Sequence, residues 1–395
     1  MDINTYKFFD KRALVRVDFN VPVNDDGKVT DDTRIKMALP TINRILDGGG
    51  SVILMSHMGR PKDKPNSKFS LKQLVPTIEK LIKKEVIFLE DCIAEKSFKT
   101  TSNLNPGDVV LLENLRFYKE EKKGDNDFAQ KLSKHGDVYV NDAFGTAHRA
   151  HASTCMIASY FKKDKMFGYL IENEIKSVEK VLQSDKKPLT AIVGGAKVSS
   201  KITIISKLIE KVDHMIIGGG MAYTFIKAQK GSIGKSLVED DYLNLALEIL
   251  ELAEKNNVKI HLPLDAVCNT DFTNDGEISC RSVSSIPENE MGLDIGPKSI
   301  DLFKEVIHNS ALILWNGPMG VFEMSNFQKG TISIAHAVVE ATENKAYSLV
   351  GGGDSVAAIN LFNLADKVSH VSTGGGAMLE YLEGKELPGI SAIRN

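Results

Sequence analysis

Apolar residues along the chain fall into short, β-branched runs at regular spacing. In the first half they are 13–17 (ALVRV), 51–56 (SVILMS), 86–89 (VIFL), 108–113 (DVVLLE) and 137–141 (DVYVN). In the second half they are 189–193, 214–218, 258–262, 311–315, 346–350 and 368–372. Between them apolar positions recur at helical spacing, as in 33–47, 70–82, 241–256 and 332–343, with Pro40 a potential kink in the first. Short strands apolar on both faces, alternating with amphipathic helices, predict an α/β fold with mainly parallel sheets. About a dozen strands exceed one ordinary open sheet, so two sheets in two domains are expected. Residues 171–183 read as a charged amphipathic helix followed by the turn-like SDKKP, and are taken as the connector.

Composition adds little until it is divided. The 395 residues carry a net charge of −3, which points neither to nucleic acid nor to an anionic membrane surface. Residues 1–167 hold 28 Lys and Arg against 23 Asp and Glu, whereas 168–395 hold 21 against 29. The chain prefers Lys (40) to Arg (9), yet seven of the nine Arg lie in the first 149 residues. Four cysteines without metal-ligand spacing read as reduced thiols. The opening segment has no apolar core before a small-residue cleavage site, and no run is long enough to span a bilayer. A cytoplasmic protein is therefore expected, with no membrane or nucleic-acid partner.

In an open parallel sheet, ligands bind beyond the carboxyl ends of the strands. In the first half those ends carry Asp18 and Asn20, then His57, Met58, Gly59 and Arg60, then Arg116, then His148, Arg149 and His151, with Arg34 opening the first helix. An Arg fork binds carboxylate or phosphate oxygens in pairs, so Arg34, Arg60, Arg116 and Arg149 together predict a small, highly anionic ligand.

The strand ends of the second half carry glycine instead: Gly194 and Gly195, Gly218 and Gly219, Gly351 to Gly353, and 374–376. Glycine admits close backbone approach to phosphate, and a following helix offers free N–H groups. Lys197 and Lys201, four apart, are expected on one helix face where either can neutralise a phosphoryl group. Asp354 suits either a helix N-cap or Mg²⁺, whose hard-oxygen preference fits one carboxylate plus nucleotide phosphates. Gly234-Lys235-Ser236 is no P-loop, since Gln229 replaces the first glycine. Neither a G-x-G-x-x-G fingerprint nor a protein-kinase motif set is present, which argues against a dinucleotide dehydrogenase. An Arg/His cleft and a Gly-rich nucleotide cleft on two domains suggest phosphoryl transfer without a covalent enzyme intermediate.

The strings RVDFNVP (16–22), DDTRI (31–35), SHMGRP (56–61), ENLRF (113–117), DAFGTAHRAHAS (142–153), VGGAKVSSKI (193–202), MGLDIGP (291–297), LWNGPMGVFE (314–323), GGGDS (351–355) and STGGGAMLEYLEGKELPGI (372–390) resemble phosphoglycerate kinases, in order and over nearly the whole chain. The resemblance implies two Rossmann-like three-layer α/β/α domains in a hinge-bending monomer. Residues 1–170 would bind 3-phosphoglycerate, with a tail from about 378 packing back on them, and 171–377 would bind nucleotide. It also implies glycolytic transfer from 1,3-bisphosphoglycerate to MgADP. Asp18, Asn20, Arg34, His57, Met58, Gly59, Arg60, Arg116 and Arg149 would bind 3-phosphoglycerate. Gly194, Gly195, Lys201, Gly218, Gly219, Gly292, Asn316, Pro318, Glu323 and Gly351, Gly352, Gly353, Asp354 and Ser355 would form the nucleotide site, with Glu323 on the ribose and Asp354 on Mg²⁺. Arg34 and Lys197, with backbone N–H groups at Gly352 and Gly375, would hold the transferring phosphoryl group. The chain departs from the family pattern at Ser200, where an Asp is common.

Overall fold

The computed structural model describes all 395 residues. By internal contacts the chain divides into two units, 1–176 with 386–395, and 177–385. The sequence reading set the first break after 170 and the returning tail from about 378. Met378 lies against Gly351 within the second unit, and the returning segment begins at Glu386.

In the first unit, strands β1 (Arg12–Val17), β2 (Ser51–Met55), β3 (Val86–Leu89), β4 (Val109–Leu112), β5 (Val138–Asp142) and β6 (Lys165–Phe167) form one sheet in the order β3-β4-β2-β1-β5-β6. Every neighbouring pair is parallel. The alternation of strand side chains separates two apolar layers. Val15, Val17, Val52 and Leu54 pack with Ile35, Ala38, Ile42 and Ile45 of α1 (Thr33–Asp47), and with Ile78 of α2 (Val75–Ile82). Leu14, Ile53, Val110 and Tyr139 face the other way, toward Phe128 and Leu132 of α5 (Asn126–Ser133) and Ile393 of the returning segment. Helices α3 (Glu95–Ser102) and α4 (Lys119–Lys123) complete the crossovers, and α6 (Tyr169–Leu182) leads out of the unit. Helix α1 runs unbroken through the exposed Pro40. Strand β6 escaped the sequence reading because three residues carry no periodicity.

The second unit repeats the plan. Its main sheet has the order β10-β8-β7-β15-β16-β17, all parallel. The strands are β7 (Leu189–Val193), β8 (His214–Ile217), β10 (Lys259–His261), β15 (Leu312–Asn316), β16 (Tyr347–Val350) and β17 (His370–Val371). Covering helices are α7 (Ile202–Ile209), α8 (Ala222–Ala228), α9 (Leu243–Lys255), α10 (Pro297–His308), α11 (Lys329–Glu343), α12 (Gly353–Leu361) and α13 (Gly376–Leu382), while α14 (Pro388–Arg394) belongs to the first unit. A small antiparallel sheet of β11 (Asp265–Asn269), β12 (Ser279–Ser282) and β14 (Met291–Ile295) is added, with a short pair of β9 (Ser232–Ile233) and β13 (Ser285–Ile286). Strand β12 is polar and exposed, while β11 and β14 are buried but are interrupted by polar or glycine residues (Asp265, Asn269, Gly292 and Asp294), so none of the three carries a continuous apolar run for patterning to reveal.

In both sheets the strand order reverses beside the first strand: between β1 and β5 in one, and between β7 and β15 in the other. Such a switch point opens a crevice at the carboxyl ends of the strands. No helix is long and apolar enough to cross a membrane.

Candidate functional site

The first crevice gathers most of the charges expected there. Arg34, in the first turn of α1, donates from Nη1 to Asp18 Oδ2 at 2.8 Å, and Asp18 Oδ1 lies 3.8 Å from His57 Nδ1. Asn20 Oδ1 accepts from the Gly59 amide at 2.9 Å. The loop after β2 is shaped by buried Asn114, whose Nδ2 donates to the carbonyls of Met58 (2.7 Å) and Phe69 (2.8 Å) while its Oδ1 accepts from the Arg116 amide at 3.0 Å. Arg116 Nη1 in turn reaches the Gly59 carbonyl at 2.7 Å. Arg149, after β5, is exposed and donates from Nε to His148 Nε2 at 3.1 Å, and Arg60, in the loop after β2, is exposed as well.

Positive charge is in excess here. Burial and then Arg149 and Arg16 push the Arg116 guanidinium down to about 10, so it remains charged at neutral pH. Burial, then Arg16, Arg149 and Arg116, depress His151 to about 4, and burial with four Arg holds His57 well below its usual range. Both rings are therefore neutral, and the charge sits on the forks. Like charges gathered this closely favour an anion that relieves them. The sequence reading missed Arg16 and Ser153, although they begin and end two of the quoted strings. It also missed Glu121, which no motif flagged.

The second crevice is built from backbone. Gly194 follows β7 and donates to the Asn316 carbonyl at 2.9 Å, and Gly195 donates to the Pro318 carbonyl at 3.2 Å. These segments approach so closely that a Cβ on Gly194 would lie 2.1 Å from the Pro318 oxygen. Gly218 and Gly219 close the adjoining wall by donating to the carbonyls of Val193 (2.9 Å) and Met319 (3.1 Å). A cavity of about 270 Å³ results, lined by Gly194, Gly195, Ala196, Lys197, Ser200, Lys201, Asn316, Gly317 and residues 352–355. Lys201 Nζ bonds Asn316 Oδ1, whose Nδ2 donates to the Gly351 carbonyl at 2.9 Å. Ser355 Oγ accepts from the Gly317 amide. Burial lowers Lys201, with Asp354 opposing that shift.

Two local expectations are corrected. Lys197 and Lys201 do not share a helix face: α7 begins at Ile202, Lys201 caps it and Lys197 sits in the preceding loop. Ser199 holds that loop away from helical geometry, binding Glu239 through its amide (2.9 Å) and hydroxyl (2.6 Å), and Ser200 Oγ turns back to the Lys197 carbonyl at 2.9 Å. Asp354 is not an N-cap. Gly352 holds that position and Asp354 stands exposed in the first turn of α12.

A second cavity of about 440 Å³ adjoins the first and shares Gly195, Ala196 and Asp354 with it. Its walls are mostly apolar, including Leu237, Phe272, Met291, Leu293, Pro318 and Val321, with Gly219, Gly292 and the exposed Glu323 among them. Gly292 leaves room because a Cβ there would fall 1.8 Å from Tyr223 Oη. Asp294, missed by the sequence reading, anchors the floor. Its Oδ2 accepts from the Gly330 amide at 2.6 Å, and burial raises its carboxyl to about 7. Gly375 lies apart from both cavities, preceding α13 with φ +49°. An apolar slot that opens on a glycine- and lysine-lined cradle has the form of a nucleotide site, base in one and phosphates in the other.

Parallel α/β sheets, one crevice rich in guanidinium groups and another shaped for a nucleotide define a small-molecule phosphotransferase. The model of the phosphoglycerate kinase family matches residues 3–385. The chain is 51% identical to a phosphoglycerate kinase of Porphyromonas gingivalis and 49% identical to one of Borrelia hermsii, with 100% of both chains covered in each case. Among solved structures, the phosphoglycerate kinase of Coxiella burnetii superposes with a TM-score of 0.90 at 39% identity, covering 99% of this chain and 97% of that one. That of Pyrococcus horikoshii gives 0.83 at 30% identity, covering 98% and 97%. The chain belongs to the phosphoglycerate kinase family, and a glycolytic kinase activity follows from that membership.

Proposed function

We propose that the chain transfers a phosphoryl group reversibly between 1,3-bisphosphoglycerate and ADP, giving 3-phosphoglycerate and ATP. The observation that carries this is the excess positive charge of Arg16, Arg34, Arg116 and Arg149 around His57, at the switch point of the first sheet. Asp18, Asn20, His57, Arg60, Arg116 and Arg149, with the Met58–Gly59 backbone, hold the phosphorylated acid. The base lies in the slot beside Gly292, the ribose meets Glu323, and the phosphates enter the cradle of Gly194, Gly195, Lys201, Asn316 and residues 351–355.

An ADP β-phosphate oxygen attacks the acyl-phosphate phosphorus. The new P–O bond forms as the bond to the carboxyl oxygen breaks, and that oxygen leaves as carboxylate. Arg34 and Lys197 neutralise the charge spread over the transferring group, assisted by the N–H groups of Gly352 and Gly375. Asp354 fits Mg²⁺: it is an exposed hard-oxygen donor lining both cavities, and one carboxylate beside phosphates is the usual protein share of such a site. When bound, Mg²⁺ supplies charge neutralisation on the nucleotide phosphates.

Donor and acceptor bind different units, so turnover requires a hinge motion that joins them and excludes water. Each chain carries both sites, so a monomer is a complete enzyme. Its four free cysteines suit the cytoplasm. The test is coupled detection of ATP from 1,3-bisphosphoglycerate and MgADP. Absence of ATP formation by the folded protein, or NAD reduction with a hydroxy acid in its place, would overturn the proposal.

A further inference from the structure

Strand β1 carries Arg16 into the interior below the charged crevice, where it is 1% exposed. Its Nε donates to Ser153 Oγ at 2.9 Å, and that hydroxyl donates to Glu121 Oε1 at 2.6 Å. The Ser153 amide donates to Glu121 Oε2 at 3.0 Å, so this equally buried carboxylate is satisfied on both oxygens. On the other side, Arg16 Nη1 bonds the Val17 carbonyl and Nη2 lies 3.3 Å from His57 Nδ1. A buried chain thus runs from Glu121 through Ser153 and Arg16 to His57.

A guanidinium offers five N–H donors, has no acceptor and does not lose its proton in proteins. The contact with His57 is therefore a hydrogen bond donated by Arg16 and accepted by the Nδ1 lone pair. That leaves the single ring proton of a neutral imidazole on Nε2. A second proton is opposed by burial and by charges on several elements: Arg16 on β1, Arg34 on α1, Arg116 after β4 and Arg149 after β5. Asp18, after β1, favours it from 3.8 Å. Nε2 itself has no hydrogen-bond partner in the chain, and its N–H is free to meet a ligand.

We propose that Arg16 is a positioning residue that holds His57 as the neutral Nε2–H tautomer, so that His57 meets the anionic substrate as a hydrogen-bond donor and not as a cation. Arg16 acts on the substrate only through this ring, and Glu121, by way of Ser153, offsets its buried charge. Affinity for the acid then does not depend on histidine titration between pH 6 and 8. This rests on reading the crevice as the 3-phosphoglycerate site.

The experiment is nitrogen-15 NMR of the histidine rings in the whole protein, with KM for 3-phosphoglycerate followed from pH 6 to 8. Wild-type His57 should show protonated Nε2 and bare Nδ1 throughout, with a KM profile free of a histidine step. Arg16→Met should mix the tautomers, raise KM roughly threefold to tenfold for one misdirected hydrogen bond, and introduce a step in its pH profile. Arg16→Lys, which keeps the charge and a donor, should restore much of the tautomer and the flat profile. Arg16→Met with Glu121→Gln provides a version free of the unpaired carboxylate should the single variant not fold. A proton on Nδ1 in the wild-type protein would overturn the proposal, as would wild-type tautomer and KM profile in the Met variants. Failure of 3-phosphoglycerate to bind at all, with the tautomer as expected, would instead refute the assignment of the crevice.

Discussion

Asp142 Oδ1 accepts a hydrogen bond from the Leu170 amide at 2.9 Å, tying the end of β5 to the start of α6. The carboxylate is fully buried and Oδ2 has no partner. Burial pushes its value up to about 7, and the bonds from Thr41, Ile171 and Leu170 offset this only in part. Between the ordinary 3.8 and about 7 the native state binds a proton that the unfolded chain has released. The contribution of this group to stability therefore falls as pH rises from about 4 to about 7 and is level above that. Asp142→Asn keeps an acceptor for Leu170 and removes the titration. Urea unfolding at pH 5 and pH 8 should show the Asn variant gaining stability relative to wild type at the higher pH. Parallel profiles for the two proteins would contradict the raised value.

Arg34 is ion-paired to Asp18 at 2.8 Å, and Lys197 stands exposed in the loop before α7. Both are assigned to the transferring phosphoryl group, where preorganised charge commonly contributes a factor of about 10²–10⁴. Arg34→Ala and Lys197→Ala should each lower kcat by that order in steady-state assays while leaving thermal stability nearly unchanged. Near-native turnover by either folded variant would remove that residue from the role.

Asp354 should be the chain's contribution to Mg²⁺ binding. Asp354→Ala is expected to shift the Mg²⁺ titration of activity to higher concentration, with saturating Mg²⁺ recovering part of the loss. An Mg²⁺ dependence superimposable on wild type would exclude this carboxylate as a ligand.

A parallel sheet sends its special residues to one edge, so strand ends in the sequence point to the residues that line the two crevices. Arg34, Arg116 and Gly194 are placed beside the crevices by this rule. What the pattern could not show was support from inside. Arg16 reads as an interruption of an apolar strand, yet it braces His57 through a contact 41 residues distant. Asp294 likewise sits in a quoted string but works through Gly330, 36 residues on. Ser199 and Glu239, which keep Lys197 out of helix α7, are joined only by folding. Periodicity reports burial and direction, whereas these residues matter through partners that sequence spacing does not pair.

The Gly292–Tyr223 contact makes the apolar slot sensitive to a single methyl group. Tyr223 is 5% exposed, and the new Cβ of Gly292→Ala would fall 1.8 Å from its hydroxyl oxygen. Relief requires a shift of the ring or of β14, both of which line the slot. Overpacking of this kind costs about 1–3 kcal/mol. If that cost falls on the bound state, KM for ADP and ATP should rise roughly tenfold to a hundredfold, with KM for 3-phosphoglycerate little changed. Tyr223→Phe in the same background deletes the atom in closest contact and should recover part of the nucleotide affinity, although the ring carbon 2.5 Å away would still be crowded. Isothermal titration with ADP separates the outcomes. Wild-type affinity in Gly292→Ala would place the base elsewhere, and an equal loss for both substrates would assign the damage to folding rather than to the slot.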